Sequence, residues 1–100
     1  MDQVAMARGS ARARTRGVYA ISVAADMTSL QVQNIRVYER RGLLCPERSA
    51  GGTRLYSPAD IETLHRIRDL LAEGLNLAGI AKVLELEAEV ARLRARLQRG

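Results

Sequence analysis

Glycine and proline residues between positions 42 and 58 divide the middle of this sequence into short, separate elements. Gly42 can take the left-handed conformation that ends a helix, and Pro46 prevents the helix from resuming. Gly51-Gly52 permits the positive φ angles of a tight turn, which predicts a β-hairpin over residues 47–56. Pro58 then suits the first position of a new helix. The pattern predicts a helix, a hairpin and a second helix rather than one continuous helix.

Two short helices are predicted before the hairpin. Ser22 can cap the first, which runs to about Ser29, and the second spans residues 31–41. Because residues 28–30 leave only a tight connection, the two helices are expected to cross. A crossing pair followed by a hairpin is a winged helix-turn-helix when its second helix faces the major groove of DNA.

Two further helices follow the hairpin. The segment Ser57–Asp60 combines a capping Ser, a Pro at the first helical position and an acid three residues after the cap. Apolar residues then recur at helical spacing until Glu73-Gly74. Asn76 is predicted to cap a last helix that runs from Leu77 to about Gln98.

The last helix carries an apolar heptad seam. Its members are spaced by 3, 4, 3 and 4 residues: Val83, Leu86, Val90, Leu93 and Leu97. Since no later residues are left to cover it, the seam is expected to meet a second copy in a short dimerisation coiled coil over residues 81–100. Acidic residues at 85–89 precede basic residues at 92–99, which favours antiparallel pairing. Parallel pairing of Glu89 with Arg94 remains an alternative.

The positive charge lies in the front half of the chain. The net charge is +5, and residues 1–58 carry the whole excess while residues 59–100 balance to zero. This asymmetry is typical of a nucleic-acid face followed by a protein–protein element. Of the 16 basic residues only Lys82 is not Arg, and this excess favours nucleic acid as a partner because Arg binds phosphates and guanine edges in pairs of hydrogen bonds. A GC-rich genome is the alternative explanation for the excess of Arg. Residues 1–17 are predicted to be a disordered basic arm that either lies along phosphates or only solubilises the chain.

The predicted DNA surface comprises the outer face of the second helix and the wing. Gln33 and Asn34 can pair with adenine, and Arg with guanine or with phosphate. The outward-facing and flanking residues of the second helix are Gln33, Asn34, Val37, Tyr38, Arg40 and Arg41. Arg48 and Arg54 stand on either side of the hairpin tip, where a wing meets phosphates or the minor groove.

Other function classes are disfavoured by what the sequence holds. Cys45 and His65 are the only residues of their kinds, so no internal disulfide or structural zinc site is expected. We expect no catalytic activity, cofactor, metal or small-molecule ligand, because there is neither a nucleophile–base constellation nor a phosphate-cradling loop. No stretch is long enough to span a membrane, and the lone Cys fits a cytosolic protein, so we expect a cytoplasmic protein.

Three segments together resemble the MerR family of transcription regulators. The first is the R-x-Y-E-x-x-G-L-L run at residues 36–44, and the second is the G-G-x-R-x-Y wing at residues 51–56. The third, LAGIAKVLELEAEVARLRA, is similar to the heat-shock repressor branch called HspR. The likeness covers about residues 18–97.

The resemblance implies a homodimer on an inverted-repeat operator, joined by an antiparallel coiled coil. It places Arg36 and Tyr38 on the DNA backbone and Arg54 in the wing contact, with Gln33 and Asn34 near bases. We also expect contacts from Gln31, Thr53 and Tyr56.

The sequence departs from the family pattern at three positions in or near the second helix. Ser29 stands where Gly is common, and Gln31 where Ser, Thr or His is common. Val37 replaces an aromatic residue found in many members. Because these changes alter the groove-facing surface, the operator sequence cannot be transferred from relatives.

The expected architecture is mainly α: a winged helix-turn-helix over residues 18–80 with a small β-hairpin wing and a C-terminal dimerisation helix. No metal loop or drug-binding domain follows the coil, so we expect a repressor of heat-shock genes that resembles HspR in using the DnaK chaperone as co-repressor. Activation by promoter underwinding remains open. The rival functions are an architectural or excisionase-like DNA-binding protein and a coiled-coil adaptor for an acidic protein.

Overall fold

A computed structural model describes residues 13–99 of the chain. The elements in chain order are α1 (Ile21–Thr28), α2 (Val32–Arg40), β1 (Glu47–Arg48), β2 (Arg54–Leu55), α3 (Pro58–Ala72) and α4 (Leu77–Arg99). The chain divides into two compact units, Met1–Arg68 and Asp69–Gly100, and the boundary falls within α3. The expected fold class, mainly helical with a small two-stranded hairpin and a long last helix, is confirmed.

Helix α1 begins differently from the prediction and ends where it was expected to, at Ser29. Ala20 occupies the N-cap position without a side-chain hydrogen bond, so the expected cap at Ser22 is wrong and Ser22 lies inside the helix. At the other end Ser29 adopts a left-handed conformation with φ of 57°. This geometry lets the Leu30 N–H donate to the carbonyl of Ala25 at 3.1 Å, which closes the tight connection to α2.

Helix α2 ends at a Schellman motif. Gly42 has φ of 78°, its N–H donates to the Glu39 carbonyl at 2.9 Å, and the Leu43 N–H donates to the Tyr38 carbonyl at 3.0 Å. The predicted left-handed stop at Gly42 is therefore confirmed. The helix is one residue shorter at each end than expected, because Gln31 and Arg41 serve as its caps.

The wing is a two-stranded antiparallel hairpin in which Glu47 lies opposite Leu55 and Arg48 opposite Arg54. Only one glycine of the predicted pair has a positive φ, Gly52 at 86°. An additional bridge joins Tyr19 to Tyr56, with N–H···O distances of 2.9 and 2.7 Å in the two directions. The segment before α1 therefore pairs with the wing, a contact that the sequence patterns did not predict.

Part of the predicted disordered arm is ordered. Residues 1–12 lie outside the described residues, but residues 13–15 are helical. The Gly17 N–H donates to a carboxylate oxygen of Glu47 at 2.8 Å. A Cβ atom at position 17 would lie 2.6 Å from the carbonyl oxygen of Leu55. The predicted disordered arm is therefore wrong for its last residues, because Gly17 lies against the wing and has defined contacts there.

The first unit has a small aliphatic core with two tyrosines. Its buried apolar residues are Ala24, Ala25, Ile35, Tyr38, Leu44, Tyr56, Ile61, Leu64 and Ile67. Two side chains of α3 donate to carbonyls at the end of α1: Arg68 Nη1 to Thr28 at 2.7 Å, and His65 Nε2 to Met27 at 3.2 Å. These bonds satisfy orphan carbonyls at a helix C-terminus, where positive charge is favourable.

The predicted caps of the last two helices are confirmed. The Ser57 N–H donates to the Asp60 carboxylate at 2.9 Å, and the Asp60 N–H donates to the Ser57 hydroxyl at 3.0 Å, which makes a reciprocal capping box. Gly74, with φ of 96°, follows the end of α3. Asn76 Oδ1 then accepts the Gly79 N–H at 2.8 Å. Across residues 13–99, no helix combines the length and the apolar character needed to cross a bilayer.

Candidate nucleic-acid interface

Helix α2 has one buried face and one polar, exposed face. Ile35 and Tyr38 are buried, at 0% and 4% relative exposure. Apart from Glu39, every polar side chain of the helix is exposed: Gln33, Asn34, Arg36 and Arg40. These side chains offer hydrogen-bond groups suited to base edges and phosphates.

The other residues predicted to contact DNA, in α2, at its two ends and in the wing, differ in their exposure to solvent. Gln31 and Arg41 are exposed at the two caps of α2, whereas Val37 is half-buried. Thr53 is exposed at the wing, where its N–H binds the hydroxyl oxygen of Ser49 at 3.2 Å. A ligand can therefore reach Gln31, Arg41 and Thr53 freely, and Val37 only in part.

The two predicted tyrosine contacts lie in the core instead of on the surface. Tyr56 has no exposed surface, and Tyr38 has only 4%. Burial raises the pKa of both phenols, and for Tyr56 the Glu39 carboxylate raises it further while Arg54 opposes this shift. The Tyr56 hydroxyl has no hydrogen-bond partner among the described residues. The expected DNA contact by Tyr56 is corrected to a packing role, because a fully covered ring offers nothing to a ligand.

The wing arginines bind a glutamate that was absent from the predicted site. Glu39, in the last turn of α2, accepts hydrogen bonds from Arg48 Nη2 at 3.3 Å and from Arg54 Nε. Arg48 Nη1 also donates to the Gly52 carbonyl at 3.1 Å. The sequence signal that could have revealed Glu39 as part of the site is that it is an acidic residue in the strongly basic front half of the chain. Both arginines thus hold the wing against α2.

The heptad seam of α4 is largely exposed. Val83 is half-buried, and the other members are at 55%, 44%, 47% and 80% relative exposure: Leu86, Val90, Leu93 and Leu97. On the same face of α4 the apolar side chains are flanked by Glu87, Ala91 and Arg94. Side chains of this kind are normally covered by a partner.

A metal site is not evident in the described part of the chain. Within residues 13–99, no group of three or more His, Cys, Asp or Glu side chains is arranged to hold an ion. Cys45 is exposed and carries a free thiol. The features that remain are two short helices in contact with each other, the second with an exposed polar face, and a hairpin wing. Together they define a winged helix-turn-helix protein.

The chain belongs to the MerR family of transcription regulators, which confirms the resemblance found in the sequence. The model of the MerR HTH family regulatory protein matches residues 19–87. The chain is 51% identical over 80 residues to a putative heat shock protein HspR of Streptomyces coelicolor, covering 79% of this chain and 53% of that protein. It is 42% identical over 71 residues to the transcriptional regulator GlnR of Bacillus cereus, covering 71% and 55%. The chain therefore spans about half the length of these curated relatives.

Solved structures show the same fold. The transcription regulator PbrR691 from Ralstonia metallidurans, in complex with lead(II), superposes with a TM-score of 0.65 at 28% identity and covers 82% of this chain and 77% of that chain. HiNmlR, a MerR family regulator lacking the sensor domain and bound to promoter DNA, gives a TM-score of 0.63 at 20% identity, covering 80% and 78%. At that identity the second likeness concerns the fold alone. The family model and the curated relative GlnR both describe transcription regulators.

Proposed function

We propose that this protein is a sequence-specific DNA-binding repressor that reads duplex DNA through α2 and the wing. The observation that carries the proposal is the two-sided character of α2, with Ile35 and Tyr38 buried and the polar residues Gln33, Asn34 and Arg36 exposed. Gln and Asn can make paired hydrogen bonds to adenine, and Arg can do so to guanine. The positive charge of the front half supports the phosphate contacts that set the register.

The test is selection of genomic DNA fragments with the purified protein at near-physiological salt. We expect an inverted repeat to be recovered, and we expect Gln33→Ala with Asn34→Ala to weaken or relax its recognition by about 1–3 kcal/mol per lost base contact. Gln98→Ala, which alters an exposed amide on α4, is the matched control. Binding with no motif, unchanged in the double variant and lost only with salt, would support the architectural function and refute sequence reading.

The protein is proposed to act as a homodimer joined by the apolar face of α4. Support comes from the exposure of Leu86, Val90 and Leu93 and from the acid-then-base order of charges along the helix, which suits an antiparallel partner. We expect Leu93→Glu to convert a dimer into a monomer in sedimentation equilibrium. Ala88→Glu places the same charge on the opposite side of the helix and should leave the dimer intact. A wild-type monomer at micromolar concentration would refute this step.

The regulated genes are proposed to include heat-shock and chaperone genes, with the protein acting on the nucleoid in the cytoplasm. The support is the 51% identity to a putative heat shock protein HspR. We expect the selected repeat to lie upstream of chaperone genes, a reporter under that promoter to be repressed, and purified DnaK chaperone to strengthen operator binding. A repeat upstream of unrelated genes, with no response to DnaK, would contradict the heat-shock role while leaving the DNA-binding proposal intact.

A further inference from the structure

Glu39 connects the recognition helix to both strands of the wing. Its carboxylate is largely covered, at 17% exposure, and each of its oxygens takes a different arginine. Oε1 accepts from Arg54 Nε on β2, and Oε2 accepts from Arg48 Nη2 on β1 at 3.3 Å. One side chain of α2 therefore orients the guanidinium groups on both strands of the hairpin.

The register of the hairpin explains why an anion is needed at this position. Arg48 lies directly opposite Arg54 in the ladder, and like charges directly opposite one another destabilise a strand pair. A single carboxylate between them offsets this repulsion, because charge-assisted bonds to Arg are strong and directional. Phosphate offers Arg the same kind of acceptor. Glu39 therefore offers these arginines the kind of acceptor that a DNA phosphate would also offer.

We propose that Glu39 is a positioning residue that governs how the wing arginines engage DNA. By holding Arg48 and Arg54 on α2, it restrains them from capturing phosphates of any duplex and presents their remaining donors in one orientation beside the recognition helix. The inference rests on the proposed DNA-binding function and deepens it. The consequence is discrimination between operator and nonspecific DNA. Any duplex must compete with Glu39 for the two arginines, and only the correct operator makes enough other contacts to displace them from it.

The experiment compares wild type with Glu39→Gln on a mixed-sequence duplex and on the duplex recovered by genomic selection, each across a salt series. Freed arginines should make the salt slope on mixed-sequence DNA steeper by about 0.9 for each new phosphate contact, up to about 1.8 for two. At about 0.15 M salt this corresponds to roughly fivefold tighter unspecific binding per contact. Affinity for the selected duplex should change less, so the ratio of the two affinities falls.

Two further variants complete the test. One controls for the loss of a negative charge, and the other breaks the same contact without changing Glu39. Glu73→Gln removes one exposed negative charge outside these contacts and should leave both the salt slope and the affinity ratio unchanged. Arg54→Lys keeps the positive charge but loses the Nε donor to Glu39, so the side chain at position 54 is released and the slope on mixed-sequence DNA should steepen by up to about 0.9 while the affinity ratio falls. This second variant carries the test if Glu39→Gln fails to fold, as judged by circular dichroism.

The outcomes distinguish the inference from the function on which it rests. A protein that binds neither duplex refutes the proposed function itself. A protein that binds DNA, but whose Glu39→Gln variant loses affinity for both duplexes equally at unchanged slope, has a glutamate that is only structural, and the positioning role is overturned. If selection recovers no motif, the slope on the mixed-sequence duplex still decides whether Glu39 restrains the arginines.

Discussion

Replacing Tyr56 with Phe is expected to stabilise the protein. The ring of Tyr56 has no exposed surface, and its hydroxyl has no hydrogen-bond partner among the described residues. A buried hydroxyl without a partner costs about 1–3 kcal/mol, because the water that solvated it in the unfolded chain is not replaced. Tyr56→Phe keeps the ring and its packing while removing that cost.

The expected gain in stability follows from the cost of burying the unpaired Tyr56 hydroxyl. Taking the low end of the penalty, we expect the free energy of unfolding to rise by about 1 kcal/mol. For a domain of this size that corresponds to a rise in Tm of about 4–8 °C. Thermal and urea unfolding followed by circular dichroism, at fixed protein concentration, measure both quantities. A fixed concentration matters because dimerisation would make Tm depend on it.

The control is Tyr19→Phe, which removes a hydroxyl from a half-buried tyrosine on the other side of the same bridge. It should change the free energy of unfolding by no more than about 0.5 kcal/mol. A loss of stability of about 1 kcal/mol or more in Tyr56→Phe would show that the hydroxyl is hydrogen-bonded in solution, and the reasoning from an unsatisfied group would be refuted.

Three other changes test local features. Ser29→Gly should stabilise the fold by about 0.5–1 kcal/mol in urea unfolding, because Ser29 has φ of 57° and Gly adopts this region without strain; a loss would contradict the left-handed assignment. Gly17→Ala should cost about 1–3 kcal/mol, since its Cβ would lie 2.6 Å from a backbone oxygen of β2, whereas Gly51→Ala should be nearly neutral. Stability should fall as the pH rises above about 10, because the pKa values of Tyr38 and Tyr56 are raised in the folded state and the unfolded chain loses its phenolic protons first; a flat pH profile in that range would contradict this.

Local sequence signals predicted the helix ends well. The capping box of Ser57 and Asp60, the cap at Asn76 and the stop at Gly42 each depend on residues within a few positions of one another, and all three appear as expected. The exception is α1, where Ser22 was expected to be the cap. A Ser before an apolar run is compatible with more than one starting residue, and the pairing of Tyr19 with the wing places the start at Ala20.

Contacts between distant residues could not be predicted in the same way. The burial of Tyr38 and Tyr56 depends on how α2 and the wing pack together, and helical or strand periodicity alone leaves a flanking tyrosine free to face either way. The bonds of Glu39 to Arg48 and Arg54 likewise exist only once the hairpin lies against α2. The exposed residues Gln33 and Asn34 were easier to predict, because the position of Ile35 on the buried face determines the opposite face of the helix.

The bridge between Tyr19 and Tyr56 also bears on the order of folding. It joins residues that flank the whole helix pair, so the entropy of closing that long loop is lost before the bridge contributes any stability. The local helix pair α1–α2 is therefore expected to form first and to bring Tyr19 and Tyr56 together. Substitutions that weaken the bridge should then accelerate unfolding while leaving the folding rate nearly unchanged, and the wing would be the first part of the domain to detach when the protein opens.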